Sequence, residues 1–181
     1  GWDFSTRWFA DDSKFETIST TDIIPVDLNC LLYHMETTIA RLNELSGNLE
    51  KASDFHDLAA IRKEAIQRYF WDNDKQFYTD YNFVENTYSP KVTLAGSFPL
   101  YFKICDLSQA LAQSNVMIQD LLKPQGFVTT VNNSGQQWDA PNGWAPLQWI
   151  AIKGLQNYEL NDLADEATKR WMSVNEKVYK N

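Results

Sequence analysis

The segment Asp27–Trp71, DLNCLLYHMETTIARLNELSGNLEKASDFHDLAAIRKEAIQRYFW, decides the fold. Asp27 stands where an N-cap belongs, and Leu28, Leu31, Leu32, Met35, Ile39 and Leu42 follow at i, i+3, i+4 spacing. That stripe predicts a helix, which Gly47 and Asn48 should end. Asp54 opens a second helix running to near Trp71, with Leu58, Ile61, Ala65, Ile66 and Tyr69 on one face and Lys63 and Arg68 on the polar side. Two amphipathic helices joined by so short a loop lie antiparallel.

The same pattern repeats along the chain. A third helix is expected from about Val92 to Ile104, kinked or split at Pro99, which has no N–H to donate. A fourth covers Leu107 to Leu122 and is stopped by Pro124. A fifth begins near Trp144, with Pro146 in its first turn, and continues to about Tyr158; a sixth runs from Asn161 to Tyr179. The fold class is therefore all-α: about six helices as three αα-hairpins, with short strand pairs at most near Phe77–Tyr81 and Phe127–Val131. Between hairpins come longer stretches, Phe70–Phe83 (FWDNDKQFYTDYNF) and Gly126–Gly143. Alternate long loops suit an α/α toroid whose loops share one rim, where function would lie. Periodicity serves equally for a helical bundle or an α-solenoid.

At 181 residues the chain is one domain's worth, and 44% hydrophobic with 22% charged residues is a globular composition. A net charge of -8 has the wrong sign for phosphate backbones or anionic lipid, and no apolar run approaches membrane-spanning length. Neither nucleic acid nor membrane is an expected partner. Cys30 and Cys105 read as buried thiols, with a single disulfide as the alternative; His34 and His56 lack metal-ligand or triad spacing, so neither metal nor cofactor is expected.

Aromatic residues reach 14%; a core of this size could absorb many of the rings, but tryptophan is rarely fully buried and its N–H wants a partner, so some should line a groove. Two segments concentrate them. In GWDFSTRWFADD, residues 1–12, Asp3 lies between Trp2 and Phe4; poor solvation there suits a carboxylic acid to donate a proton. The competing reading has Asp3 cap a turn and pair with Arg7 at i, i+4, and pattern alone favours it. In QQWDAPNGWAPLQW, residues 136–149, the indoles could pack on pyranose C–H faces while Asp139 and Asn142 meet hydroxyls. There Asn142 and Gly143 could take positive φ and bring backbone close to a ligand. A rigid aromatic plug is an equal reading for Trp138, Asp139, Asn142 and Trp144, and Trp149 is expected in the core. Asp72, Asp74, Asp80, Tyr81 and Asp106, acids and an aromatic in loops, read as rim residues or solvated turns, and the pattern favours solvated turns.

Gln137–Pro146, QWDAPNGWAP, resembles the second signature of the α,α-trehalases. Gly1–Trp8, GWDFSTRW, is similar to that family's catalytic-acid segment, Thr21–Asn29, TDIIPVDLN, to its next block, and Tyr69–Asp72 also fits. The resemblance implies an (α/α)6 toroid, of which residues 1–181 would be roughly half, a single partial catalytic domain. It implies an inverting hydrolysis of trehalose with Asp3 as general acid, Gly1 meeting substrate through its backbone, and Trp138, Asp139, Asn142 and Trp144 around the sugar. It reverses the balance at Asp3. The family's P-G-G-R-F block has no match, and its E-K-Y-D-like segment bearing the base is imitated only loosely by Glu176–Tyr179, inside a helix pattern. The missing N- and C-terminal segments of the same enzyme are therefore expected partners, and the 181 residues alone are expected to be inactive, with apolar helix faces left open. A periplasmic or extracellular location goes with the resemblance. The alternative is a noncatalytic carbohydrate-binding or toroidal interaction module that keeps the aromatic rim.

Overall fold

The computed structural model describes residues 2–180, in which six α-helices hold about half of the chain and 3-10 and π turns bring the helical share above half. Helix α1 spans Val26–Leu45 and α2 Leu49–Phe70. Asn48 does not merely end the first helix. Gly47 (φ +78°) reverses the chain, the Asn48 N–H reaches back to the Asn43 carbonyl at 2.9 Å, and the Asn48 side chain then accepts the Lys51 N–H, capping α2. The second helix therefore starts at Leu49, before the expected Asp54. Arg62 on α2 grips the buried Glu36 on α1 with both Nε and Nη2, clamping the hairpin.

The face that α1 buries differs from the expected one. Val26, Cys30, Glu36 and Ala40 turn inward, whereas Leu28, Leu31, Met35 and Leu42 remain 46–58% exposed. Helix α1 is apolar on two sides, and its more conspicuous stripe faces away from α2.

The expected third helix is mostly something else. Thr93 makes a bridge with Thr130, residues Leu94–Ser97 form a 3-10 turn, and only Phe98–Tyr101 are α-helical (α3) before Lys103 takes φ +55°. Pro99 marks the new start, as its missing N–H allows. Gly96 is held by space: a Cβ there would stand 2.4 Å from both the Phe77 ring and the Tyr78 carbonyl oxygen. Helix α4, Leu107–Val116, opens with a capping box between Asp106 and Gln109 and passes into a single π-type turn at Met117–Leu121. Helices α5, Ala145–Gln156, and α6, Asn161–Lys180, follow the sequence reading closely.

Helices α1, α3 and α5 stand side by side; α2 packs behind α1 and α6 behind α5. The 3-10 turn that leads into the shortened α3 is linked to α4 through Gln113, whose Nε2 donates to the Gly96 carbonyl and whose Oε1 accepts the Tyr78 N–H. The arrangement is three αα-pairs in two layers. The strands are all two residues long. Ile23–Ile24 (β1), Tyr81–Asn82 (β4) and Thr87–Tyr88 (β5) make an antiparallel sheet in the order β1-β4-β5; Trp71–Asp72 (β2) pairs with Phe77–Tyr78 (β3), and Leu122–Lys123 (β6) with Gly126–Phe127 (β7). Ile66, Phe77, Leu94, Leu100, Phe127 and Leu155 centre the core, each side chain worth about 1.5–3 kcal/mol on burial. Cys30 and Cys105 are buried free thiols. Every connection entering an inner helix, before α1, α3 and α5, is long; every connection leaving one is short. The long connections are tied together by the Thr93–Thr130 bridge and by the Trp138 N–H on the Phe4 carbonyl.

Candidate active-site rim

The acid segment is a small closed loop. Ser5 caps a 3-10 turn at Thr6–Trp8 by accepting the Arg7 N–H at 3.1 Å, and the Trp8 indole donates to the Trp2 carbonyl at 2.7 Å. Asp3 lies inside that loop, exposed, and among the described residues no hydrogen bond or ion pair holds its carboxyl. Phe4, next to it, takes φ +50°, a left-handed conformation that costs an aromatic residue about 1–3 kcal/mol. The Phe4 carbonyl accepts the Trp138 N–H at 3.2 Å, which joins the loop to the Gln136–Trp149 segment.

The turn-cap reading of Asp3 does not hold, because Ser5 caps and Arg7 points elsewhere. Arg7 is 1% exposed, with Nε and Nη2 on Asp80 (2.7 and 2.8 Å) and Nη1 and Nη2 on Asp27 (2.9 and 2.8 Å). Burial works to lower the guanidinium pKa, but Asp80 and Asp27 outweigh it and raise it above the ordinary arginine value. At Asp27 burial works upward and Arg7 outweighs it, so this carboxyl sits below its usual range. Asp80 also accepts the Val26 N–H at 2.9 Å, satisfying the first turn of α1 from 54 residues away. Asp80 and Asp72 are 3% and 4% exposed, so neither is the solvated turn residue that its loop context suggests.

Indoles continue outward from the arginine. The Arg7 guanidinium lies 4.4 Å from the Trp8 ring centre and 4.5 Å from that of Trp2; Trp2 stacks on Trp138 at 5.4 Å, and Trp138 on Trp144 at 4.5 Å and 13°. The Trp144 Nε1 is buried without an acceptor among the described residues, so its ring rather than its N–H is what this residue offers. Asn142 is exposed; its backbone binds Thr129 and Asp139, its Nδ2 donates to Gln137, and its Oδ1 has no protein partner among the described residues. Neither Asn142 nor Gly143 takes a positive φ. Gly143 is required for room, since a Cβ would lie 2.8 Å from the Phe127 carbonyl and 3.0 Å from Gln148 Nε2.

The family profile described as Trehalase matches residues 1–181. The chain belongs to the trehalase family. Periplasmic trehalases of Salmonella paratyphi A (strain ATCC 9150 / SARB42) and Salmonella agona (strain SL483) are each 45% identical to it over 179 residues, covering 99% of this chain and 31% of the relative. The chain thus spans about a third of the length of these relatives. Among solved structures, neutral trehalase Nth1 from Saccharomyces cerevisiae superposes with a TM-score of 0.78 at 25% identity, over 88% of this chain and 32% of that one. The GH63 mannosylglycerate hydrolase of Thermus thermophilus shares the fold, with a TM-score of 0.72 at 17% identity over 86% and 38%.

In this trehalase-family chain, Asp3, Trp138, Asn142 and Trp144 belong to segments that touch, and Gly1 lies outside the described residues. Asp139 is separated from the group by burial: it is 0% exposed. Trp149, expected in the core, is 57% exposed, with Lys153 Nζ 5.2 Å from its ring. Sequence reading missed Arg7, Asp27 and Asp80 as one unit. The signal present was an arginine between tryptophans at positions 2 and 8; its acidic partners are too distant in sequence for spacing to reveal.

Proposed function

We propose that the chain carries the acid half of an inverting glycoside hydrolase acting on α,α-trehalose, as part of a single (α/α)6 catalytic domain. Asp3 gives its proton to the glycosidic oxygen as the C1–O bond breaks, and one glucose leaves with that oxygen. Water adds to C1 from the opposite face and passes its proton to a second carboxylate. Gly1, Trp138, Asn142 and Trp144 contact the sugar, the indoles through their rings. The observation that carries the reading is the contrast at Asp3: a free, exposed carboxyl in a loop whose neighbours are all tied down, one of them in a strained conformation. The base is proposed to come from sequence outside this span. Glu176, on the exposed face of α6, faces Lys180 at 3.4 Å and is not assigned that role. The family match over the whole span favours this reading over a noncatalytic module, and relatives named periplasmic trehalases support a periplasmic location.

Asp3→Asn, made in an enzyme of the relatives' full length that contains this chain, tests the role. Trehalose turnover should fall at least ~100-fold with the melting temperature unchanged; retained turnover removes Asp3 from the role. The 181-residue chain by itself should release no glucose from trehalose.

A further inference from the structure

Asp139 is surrounded by donors. Its Oδ1 accepts from Ser5 Oγ at 2.8 Å and Thr130 Oγ1 at 2.9 Å; its Oδ2 accepts from the Thr6 N–H at 3.0 Å and Ser134 Oγ at 2.5 Å. A carboxylate has about four lone-pair positions, and here the protein fills them all, leaving none for a sugar hydroxyl. Two of the four donors, Ser5 and Thr6, follow Asp3 closely in sequence.

We infer that Asp139 is a positioning residue that holds the Asp3 loop against the Gln136–Trp144 turn, and not a contact to substrate. This rests on the reading of Asp3 as the general acid. The Trp138 N–H holds the Phe4 carbonyl, and Asp139 holds Ser5 and Thr6, so three consecutive residues after the acid are clasped by two consecutive residues of one turn. Ser5 Oγ donates to Asp139 and accepts from the Arg7 N–H, so the carboxylate also fixes which way the capping hydroxyl points. Bonds to a buried ionised acceptor are the strong kind, and they oppose relaxation of the left-handed Phe4. Proton transfer demands hydrogen-bond reach between Asp3 and the glycosidic oxygen; a loop set free by about 1 Å loses on the order of a hundredfold.

The test compares two substrates in an enzyme of the relatives' full length that contains this chain. Trehalose needs its leaving oxygen protonated; α-D-glucosyl fluoride does not, because fluoride departs as a stable anion. Asp139→Ala should lower kcat on trehalose about tenfold to a hundredfold, leave KM within about twofold, and lower turnover of the fluoride less than about threefold. Asp139→Asn should fall between Ala and wild type, since the Ser5 and Thr130 hydroxyls can turn to accept from an amide. Equal losses on both substrates, or a raised KM with kcat kept, overturn the inference. Should Asp139→Ala fail to fold, Asp139→Asn and Thr130→Val make the same comparison, with a loss confined to trehalose in support and an equal loss against. Asp3→Asn is run alongside. If it too loses both substrates equally, the acid reading fails and the positioning role with it; if it shows the split and the Asp139 variants do not, the positioning role alone fails.

Discussion

The rim and the helical wall are held by opposite kinds of chemistry. Around Asp3 the buried charged and hydroxylic groups Arg7, Asp80, Asp139, Ser5 and Thr130 are all hydrogen-bonded. In the wall, Ile66, Leu100 and Leu155 are buried apolar groups, while the Leu28, Leu31, Met35 and Leu42 stripe of α1 is apolar and half open. Hydrogen bonds have direction and can fix a loop to fractions of an ångström; apolar packing has little direction and suits a scaffold. The rim network closes on itself within these residues, and the wall has a face left over.

Removing one partner from the rim network should have the largest effect on stability. Arg7→Met leaves Asp80 and Asp27 buried without their counter-charge and should cost about 3–5 kcal/mol in urea or thermal unfolding. A value under about 1 kcal/mol would mean that the network is solvated after all, and the contrast with the wall would collapse. In the wall, Leu100→Ala should cost about 2–5 kcal/mol through transfer and cavity terms. It should leave the near-ultraviolet signal of the tryptophan stack intact, which Arg7→Met should not. Next comes acid sensitivity. The Asp27 carboxyl is lowered in the folded state, so its contribution is fully present above the unfolded value near 3.9 and is lost as pH falls through the lower folded value. Arg7→Met should therefore flatten the fall of stability below about pH 4, measured as midpoint against pH. The smallest effect is expected at the open stripe: Leu31→Ser should change the stability of this 181-residue chain by less than about 0.5 kcal/mol while reducing its self-association in sedimentation. A loss of several kcal/mol would show that the stripe is already packed.

The same contrast governs how much could be read in advance. Helices α5 and α6 follow local rules, a proline in the first turn and an apolar period, and their bounds agree with the sequence reading within a residue or two. Helix α3 does not, because the Thr93–Thr130 bridge and the fit of Gly96 against Phe77 are decided by residues far along the chain. On α1 the strongest apolar period marks the open face, since periodicity reports that a face is apolar and not what covers it. At the site, motif resemblance pointed to Asp3 and the tryptophans. The nearby acid it also marked, Asp139, is occupied by hydroxyls from Ser5, Thr130 and Ser134, three donors with no common spacing.

The clasp between Ser5 and Asp139 joins residues 134 positions apart. A ribosome adding about 5–20 residues per second takes roughly 7–27 s to cover that interval. For that time Arg7 can already meet Asp27 and, later, Asp80, but the acid loop has no Asp139 to dock on. The partners of the rim thus become available in order of synthesis, those of its buried cation first and those of the acid loop last, so an interrupted chain ending before residue 139 carries Asp3 without the turn that would aim it.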